Sequence, residues 1–200
     1  VIRVGDSLKL AQVGVIHGRF QPVHLGHMEY LLAGKQRCKF LLIGITNSDP
    51  TQTAPDSTNP ARSAVAANPL TYLERLFMLG AVMVEAGVPR KEFEIIPFPI
   101  NFPRLLRFYA PEDALYFVTV YDSWGRAKLD TLKSLGLKTE VMWERRMSER
   151  LTTGTEVRKL IATGGEWEQL VPSCVAKMVD ELDLARRIAV LLDETSEPDV

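Results

Sequence analysis

Gly14-Val15-Ile16-His17-Gly18-Arg19-Phe20-Gln21-Pro22-Val23-His24-Leu25-Gly26-His27 is the stretch on which the reading of the chain turns. Val13, Val15 and Ile16 form an apolar run that predicts a buried strand. Gly18 and Pro22 break it, and a helical pattern begins near Leu25. All three histidines of the chain, His17, His24 and His27, fall inside the stretch. His24 and His27 are three apart, so a helix beginning there carries both rings on one face of its first turn. The first amides of a helix lack intrahelical acceptors, and the dipole is positive at that end. Two imidazoles beside free amides suit an anion, phosphate above all. A Gly-rich turn alone, or His-x-Gly-His alone, is common. The ordered set Gly18-Arg19-Phe20, Pro22, His24, Gly26, His27 behind an apolar strand is far less so, and points to phosphate handling.

Outward from this stretch the chain alternates strand and helix. Val13–His17 is the first strand, and 26–35 the first helix with Met28, Leu31 and Leu32 inward. Phe40–Thr46 is a continuous apolar run, as in a strand buried on both faces of a parallel sheet. Residues 47–69 are rich in Pro, Thr, Ser, Ala and Asn. They read as a long surface loop with a helical turn at 61–67, and the preferred role is a flexible cover of an active site. Residues 71–86 form an amphipathic helix whose inner face is expected at Leu73, Leu76, Phe77, Ala81 and Val84. Glu74 and Arg75 are either a surface pair or site-lining. Gly87 and Pro89 end that helix. Strands follow at 93–97, 114–121 and 138–143, with a Pro-punctuated loop at 98–103 carrying Asn101 and a short helix at 105–109. A helix capped by Asp122 or Ser123 runs to about Leu135 and closes at Gly136. The pattern implies an α/β, Rossmann-like fold: a mostly parallel sheet, helices on both faces, right-handed crossovers. A single domain is expected over 1–192, with a helical C-terminal section from about 153. That section includes Pro172–Leu191, and 193–200 is a flexible polar tail.

Composition sets outer limits. The 200 residues are 46% hydrophobic and 24% charged, with a formal net charge of -1. That balance lacks the basic footprint of a nucleic-acid binder. No apolar run reaches the roughly 20 residues that span a bilayer. The N-terminal ten residues are too mixed and charged for a signal peptide. Cys38 and Cys174 are far apart without metal-type spacing, so free thiols in a reducing cytoplasm are expected.

A second anion site opens near the C-terminus. After a charged loop, 145–151, Thr152-Thr153-Gly154-Thr155-Glu156-Val157-Arg158 begins a helix capped by Thr153 or Thr155. Arg158 lies three after Thr155, so both can face one ligand. Alone this describes a surface arginine on a well-capped helix.

Together the two stretches resemble the nucleotidylyltransferase superfamily, whose HxGH motif near the N-terminus is matched by a Ser/Thr-x-x-Arg helix near the C-terminus. Residues 18–27 and 153–158 are most similar to the archaeal-type nicotinamide-nucleotide adenylyltransferases. So are Asn68-Pro69-Leu70-Thr71 followed by Glu74-Arg75, and Trp167-Glu168-Gln169-Leu170-Val171-Pro172. The resemblance runs from about Val13 to Ile188. It implies an enzyme moving a nucleoside monophosphate from a triphosphate to a small phosphorylated acceptor, with pyrophosphate leaving. His24, His27 and Arg158 would be catalytic. Gly18, Arg19, Phe20, Gly26, Thr153, Gly154 and Thr155 would bind the nucleotide. Asn47, Asn101, Tyr121 and Trp124 are the acceptor-side candidates. Mg²⁺ would ride on the triphosphate, with no dedicated protein metal site. The leading expectation is AMP transfer from ATP to nicotinamide or nicotinate mononucleotide, as in NAD biosynthesis. The alternative is a CTP-dependent cytidylyltransferase for a phosphate or phosphonate acceptor. The third is a nucleotide-binding regulator without catalysis. A homo-oligomer fits the relatives that assemble; nucleic acid and membrane are not expected partners.

Two departures bear on the acceptor. The segment 48–68 is longer than in the compact archaeal enzymes. Those enzymes also tend to carry an aromatic shortly after an Ile-Asn pair, to stack on the pyridine ring. Here Ile100-Asn101 is followed by Leu106 at that place, and Tyr121-Asp122-Ser123-Trp124 stands where the family tends to show Gly-Asn.

Overall fold

Five parallel strands form one sheet in the order β3-β2-β1-β4-β5: β1 (Ala11–Gly18), β2 (Cys38–Ile45), β3 (Phe93–Pro97), β4 (Leu115–Val120) and β5 (Lys138–Glu144). The computed structural model describes residues 10–49 and 64–194. The helices are α1 (Leu25–Lys35), α2 (Tyr72–Glu85), α3 (Ser123–Ser134), α4 (Gly154–Thr163), α5 (Ser173–Glu181) and α6 (Leu184–Glu194). Each strand sits within a few residues of its sequence-predicted span, because a strand buried on both faces is a near-continuous apolar run.

Alternation along β1 divides the core. Ile16 packs with Leu31, Ile43, Met78 and Val157 on one side of the sheet. Val15 packs with Phe98, Leu106, Tyr116 and the α3 residues Leu129 and Leu132 on the other. Successive side chains of a strand point to opposite faces, so one strand feeds both layers.

The order of strands reverses between β1 and β4, the position at which open α/β sheets bind ligands outside their C-terminal ends. Here the two strands also part early. They register at Gly14↔Leu115 and Val15↔Tyr116, although β1 continues to Gly18 and β4 to Val120. Tyr30 of α1 enters the gap. Its hydroxyl donates to the Phe117 carbonyl at 2.5 Å and accepts from the His17 amide, so backbone groups freed by the parting stay paired.

Caps match their local chemistry. Thr71 and Glu74 form a reciprocal capping box on α2, Asp122 accepts from Gly125 N on α3, and Thr153 accepts from Glu156 N on α4. Gly87 and Gly136 follow helix ends at φ 79° and 74°, left-handed values that glycine adopts without a side-chain penalty.

One expectation is corrected. The inner face of α2 is Arg75, Met78, Leu79, Val82 and Met83, whereas Leu73, Phe77 and Val84 are exposed. The helix is apolar nearly all round, so periodicity did not fix its phase; the buried Arg75 does. A second finding refines the expected helical section over 172–191: it is present as two helices, α5 and α6, parted at Asp183, whose φ of 47° cannot continue a right-handed helix. Of the long loop, 50–63 lies outside the described residues; a short helical turn is present at Val65–Ala67. No described helix is long and apolar enough to cross a membrane.

Candidate active site

The β1–α1 loop supplies the first wall. His24 is the N-cap residue of α1, in extended conformation, and His27 is in its first turn. Their rings stack at 3.7 Å between centroids and 24° between planes. Phe20 takes φ 54° and is fully buried, its ring edge-on to His27 at 4.9 Å. It thus supports His27 from below, while its backbone faces the cavity. Gly26 leaves the room this requires, since a Cβ there would lie 3.2 Å from both the His24 ring and the Thr152 carbonyl.

Burial strips these imidazoles of basicity. His24 is pulled down to about 3, by burial first and then by Arg150 and Arg158. His27 lies well below the ordinary histidine value, from burial, His24, Arg19 and Arg150. Both are therefore neutral near pH 7, and both Nδ1 atoms are buried without a partner among the described residues. Neutral rings held together among cations gain a proton readily only when an anion arrives.

The second wall is the N-terminus of α4. The Arg158 guanidinium is buried and forked: one arm donates to the Gln21 carbonyl at 2.7 Å, the other to Thr155 Oγ1 at 3.3 Å. The two anion sites, 137 residues apart in sequence, are thus joined by a direct bond. Gly154 is needed for it, because a Cβ would sit 3.2 Å from Arg158 Nη1 and from the Gln21 carbonyl.

Two buried polar side chains brace the β1–α1 loop from behind. Gln21 exchanges a pair of hydrogen bonds with the Leu70 backbone, 2.9 and 2.8 Å. Arg75 is 2% exposed and donates to four carbonyls, those of Thr71, Arg19, Thr46 and Asn47. Its burial among carbonyls rather than carboxylates pulls it down to about 10.

The third wall comes from α3 and the β5–α4 loop. Lys128 Nζ lies 3.9 Å above the Trp124 ring, and Arg150 lies 4.2 Å from the Tyr121 ring. Trp143 Nε1 donates to the Tyr121 hydroxyl at 2.7 Å, and Arg145 pairs with Glu29 at 2.7 Å. Together the walls enclose a cavity of about 770 Å³ in the crevice between β1 and β4. Arg19, Lys128, Arg150, Arg158 and Lys159 line it against Glu29 and Asp122, so the cavity favours anions.

Each catalytic and nucleotide-side candidate lines this cavity: His24, His27, Arg158, Gly18, Arg19, Phe20, Gly26, Thr153, Gly154 and Thr155. Tyr121 and Trp124 line it too. Asn47 and Asn101 do not, contrary to expectation. The Asn47 amide is turned to Asn68 Oδ1 at 3.5 Å, and Asn101 is exposed on the turn after β3. Lys128, Arg150, Trp143 and Tyr30 are lining residues that the sequence reading did not single out. Lys128 had one signal, its place four after Trp124 on the same helix face. Cys38 and Cys174 are free thiols, as expected.

The family model described as cytidylyltransferase-like matches residues 15–159. The chain is 52% identical, over 90% of its length and 97% of the relative's, to the phosphonoformate cytidylyltransferase of Streptomyces viridochromogenes. It is 31% identical, over 89% and 87%, to the nicotinamide-nucleotide adenylyltransferase of Thermococcus onnurineus. Among solved structures, a bifunctional NMN adenylyltransferase/ADP ribose pyrophosphatase of Francisella tularensis superposes with a TM-score of 0.62 at 17% identity, over 93% of this chain. The chain spans about half of that bifunctional protein, 53% of its length. The strand order, the HxGH turn bonded to the α4 arginine, and the match over most of the chain agree: it is a nucleotidyltransferase of the cytidylyltransferase-like family.

Proposed function

We propose that the chain transfers CMP from CTP to a small phosphonate acceptor of the phosphonoformate class, releasing pyrophosphate. The observation that carries this reading is 52% identity over nearly the whole length to a phosphonoformate cytidylyltransferase, against 31% to a nicotinamide-nucleotide adenylyltransferase. The alternative drawn from sequence is thus better supported than the leading expectation of AMP transfer to a nicotinamide mononucleotide. Local geometry agrees. The Ile100–Asn101 turn stays out of the cavity, and Leu106 is buried in the core behind it. A compact acid needs no such turn. It needs cations, which Lys128 and Arg150 supply beside Trp124 and Tyr121.

In this reading a phosphonate oxygen attacks the α-phosphorus of CTP. The bond from that phosphorus to the bridging oxygen breaks, and the electron pair leaves with pyrophosphate. No proton transfer and no covalent enzyme intermediate is required. His24 and His27 donate to the phosphate chain where negative charge grows during transfer, the most effective place for a hydrogen bond. Thr155, the α4 amides and Arg158 hold the β- and γ-phosphates and steady the departing pyrophosphate. Gly18, Gly26 and Gly154 let backbone approach the nucleotide, and Arg19 neutralises its charge. Mg²⁺ arriving with the triphosphate would be held chiefly by phosphate oxygens and water, where it would offset charge on the chain that Thr155 and Arg158 grip.

The test is pyrophosphate release with CTP or ATP, each with phosphonoformate, nicotinamide mononucleotide or no acceptor. Release confined to CTP with phosphonoformate is the expected result. Release with ATP and the mononucleotide instead restores the adenylyltransferase reading. Tight nucleotide binding without turnover on any acceptor restores the regulator.

A further inference from the structure

We propose that His17 is an acceptor-binding residue, donating a hydrogen bond to an anionic oxygen of the acceptor at the open end of the β1–β4 seam. The inference rests on the cytidylyl-transfer reading for the reaction, and on the placement of His17 for its role.

His17 is 3% exposed, and neither ring nitrogen has a hydrogen-bond partner among the described residues. Buried polar side chains are nearly always satisfied, so a ring with both nitrogens unmatched calls for a group from outside the chain, a ligand oxygen or an ordered water that a ligand displaces. The ring lines the cavity. It also stacks on the fully buried Phe98, 4.6 Å between centroids and 17° between planes, so its plane is fixed. His17 borders the cavity where the seam ends, since the last β1–β4 pair, Val15↔Tyr116, is two residues short of it. Burial and the charge of Lys128 hold its basicity well below the usual histidine range. It is then a neutral imidazole, with one N–H donor and one acceptor lone pair.

The side of the sheet decides which substrate it meets. His17 follows Val15 in the alternation of β1 and shares the Phe98 layer with α3, the helix that brings Trp124 and Lys128. The groups placed for the triphosphate, His24, His27, Thr155 and Arg158, come from α1 and α4. Phe20 and Val157, which underpin them, belong to the opposite layer. An in-line transfer puts the attacking oxygen on the far side of the α-phosphorus from the leaving pyrophosphate. His17 and Lys128 stand on that far side, where a second acid group of the acceptor can be gripped.

The test uses steady-state kinetics on whichever acceptor the wild-type protein turns over, so its outcome is separate from the identity of that acceptor. His17→Phe keeps the stack on Phe98 and removes both nitrogens; His17→Asn keeps a donor and an acceptor. Loss of a hydrogen bond to a charged group predicts a rise in acceptor KM of about 10- to 100-fold in His17→Phe. The CTP KM is expected to stay at the wild-type value and His17→Asn to recover part of the loss. A rise in the CTP KM with the acceptor KM unchanged overturns the proposal, as does lowered thermal stability with both KM values unchanged. A measurement on the wild-type protein covers variants that fail to fold. The imidazole NMR signal of His17, assigned through its contact with Phe98, should shift on adding the acceptor found in that assay, phosphonoformate or nicotinamide mononucleotide, and not on adding CTP. The reverse result also overturns the assignment.

Discussion

The rings of His24 and His27 lie face to face at 3.7 Å, and the arginine that completes the site, Arg158, is bonded to the loop that carries them. Two imidazoles at that distance cannot both be protonated without strong repulsion, so the charge of a bound triphosphate is what makes the pair worth assembling.

His27→Ala removes a ring that, on the proposed mechanism, donates to the phosphate chain where charge grows in the transition state. The expected loss is about 100- to 1000-fold in kcat, with CTP binding changed far less. Single-turnover rates and equilibrium titration separate the two. A change confined to CTP affinity would place His27 outside the chemical step.

Arg158→Lys keeps the charge but loses the fork that spans the Gln21 carbonyl and Thr155. CTP KM is expected to rise about ten-fold or more, with slower pyrophosphate release, because both the anion grip and the link between the two walls weaken. Wild-type kinetics in this variant would mean that charge alone is used there.

Arg75→Met removes the shared donor of four carbonyls, of which that of Thr46 is buried. Stability should fall by about 3 kcal/mol in urea unfolding. Because one of those carbonyls belongs to Arg19, which lines the cavity, CTP KM should rise as well. A loss of stability alone would make Arg75 a purely structural brace.

Acid should unfold the unliganded protein early. The pKa values of His17, His24 and His27 are all lowered in the folded state, chiefly by burial. The unfolded chain therefore binds protons that the native chain refuses once pH drops below about 6.5. The stabilising contribution is complete above that value and is lost as pH falls through it. The slope approaches about 1.4 kcal/mol per pH unit for each excess proton. Denaturant midpoints at several pH values between neutral and mildly acidic check this, and replacing His17 with Phe should flatten the curve. A midpoint independent of pH over that interval would show that the rings take up protons as readily in the native protein as in the unfolded chain.

The sheet and the gathering of the two helix starts in one cavity were legible because their signals are local. Buried parallel strands are unbroken apolar runs, and His24 and His27, like Thr155 and Arg158, are three apart and so share a helix face. The face of α2 was not, since Leu73, Phe77 and Val84 have the right period and the wrong phase. Only the tertiary bonds of Arg75 choose the phase, and a charged residue offers no local reason to be inside. Asn47 and Asn101 misled for a related cause. Each sits just past a strand of the sheet, but a turn's direction, not its position, decides whether an amide reaches the cavity. Arg150 could not be found at all, because a cation in a charged loop has no period. Its stack on Tyr121 exists only once β5 and α4 are in place.

The chain leaves β2 through Asn47 and enters α2 through Leu70, and both of these points are fastened to the same loop. Arg75 ties Asn47 to Arg19, and Gln21 grips Leu70. The loop that carries the histidines is therefore held from both sides by side chains of the described residues. A substitution that frees either brace is expected to loosen that loop, however far it lies from the rings themselves.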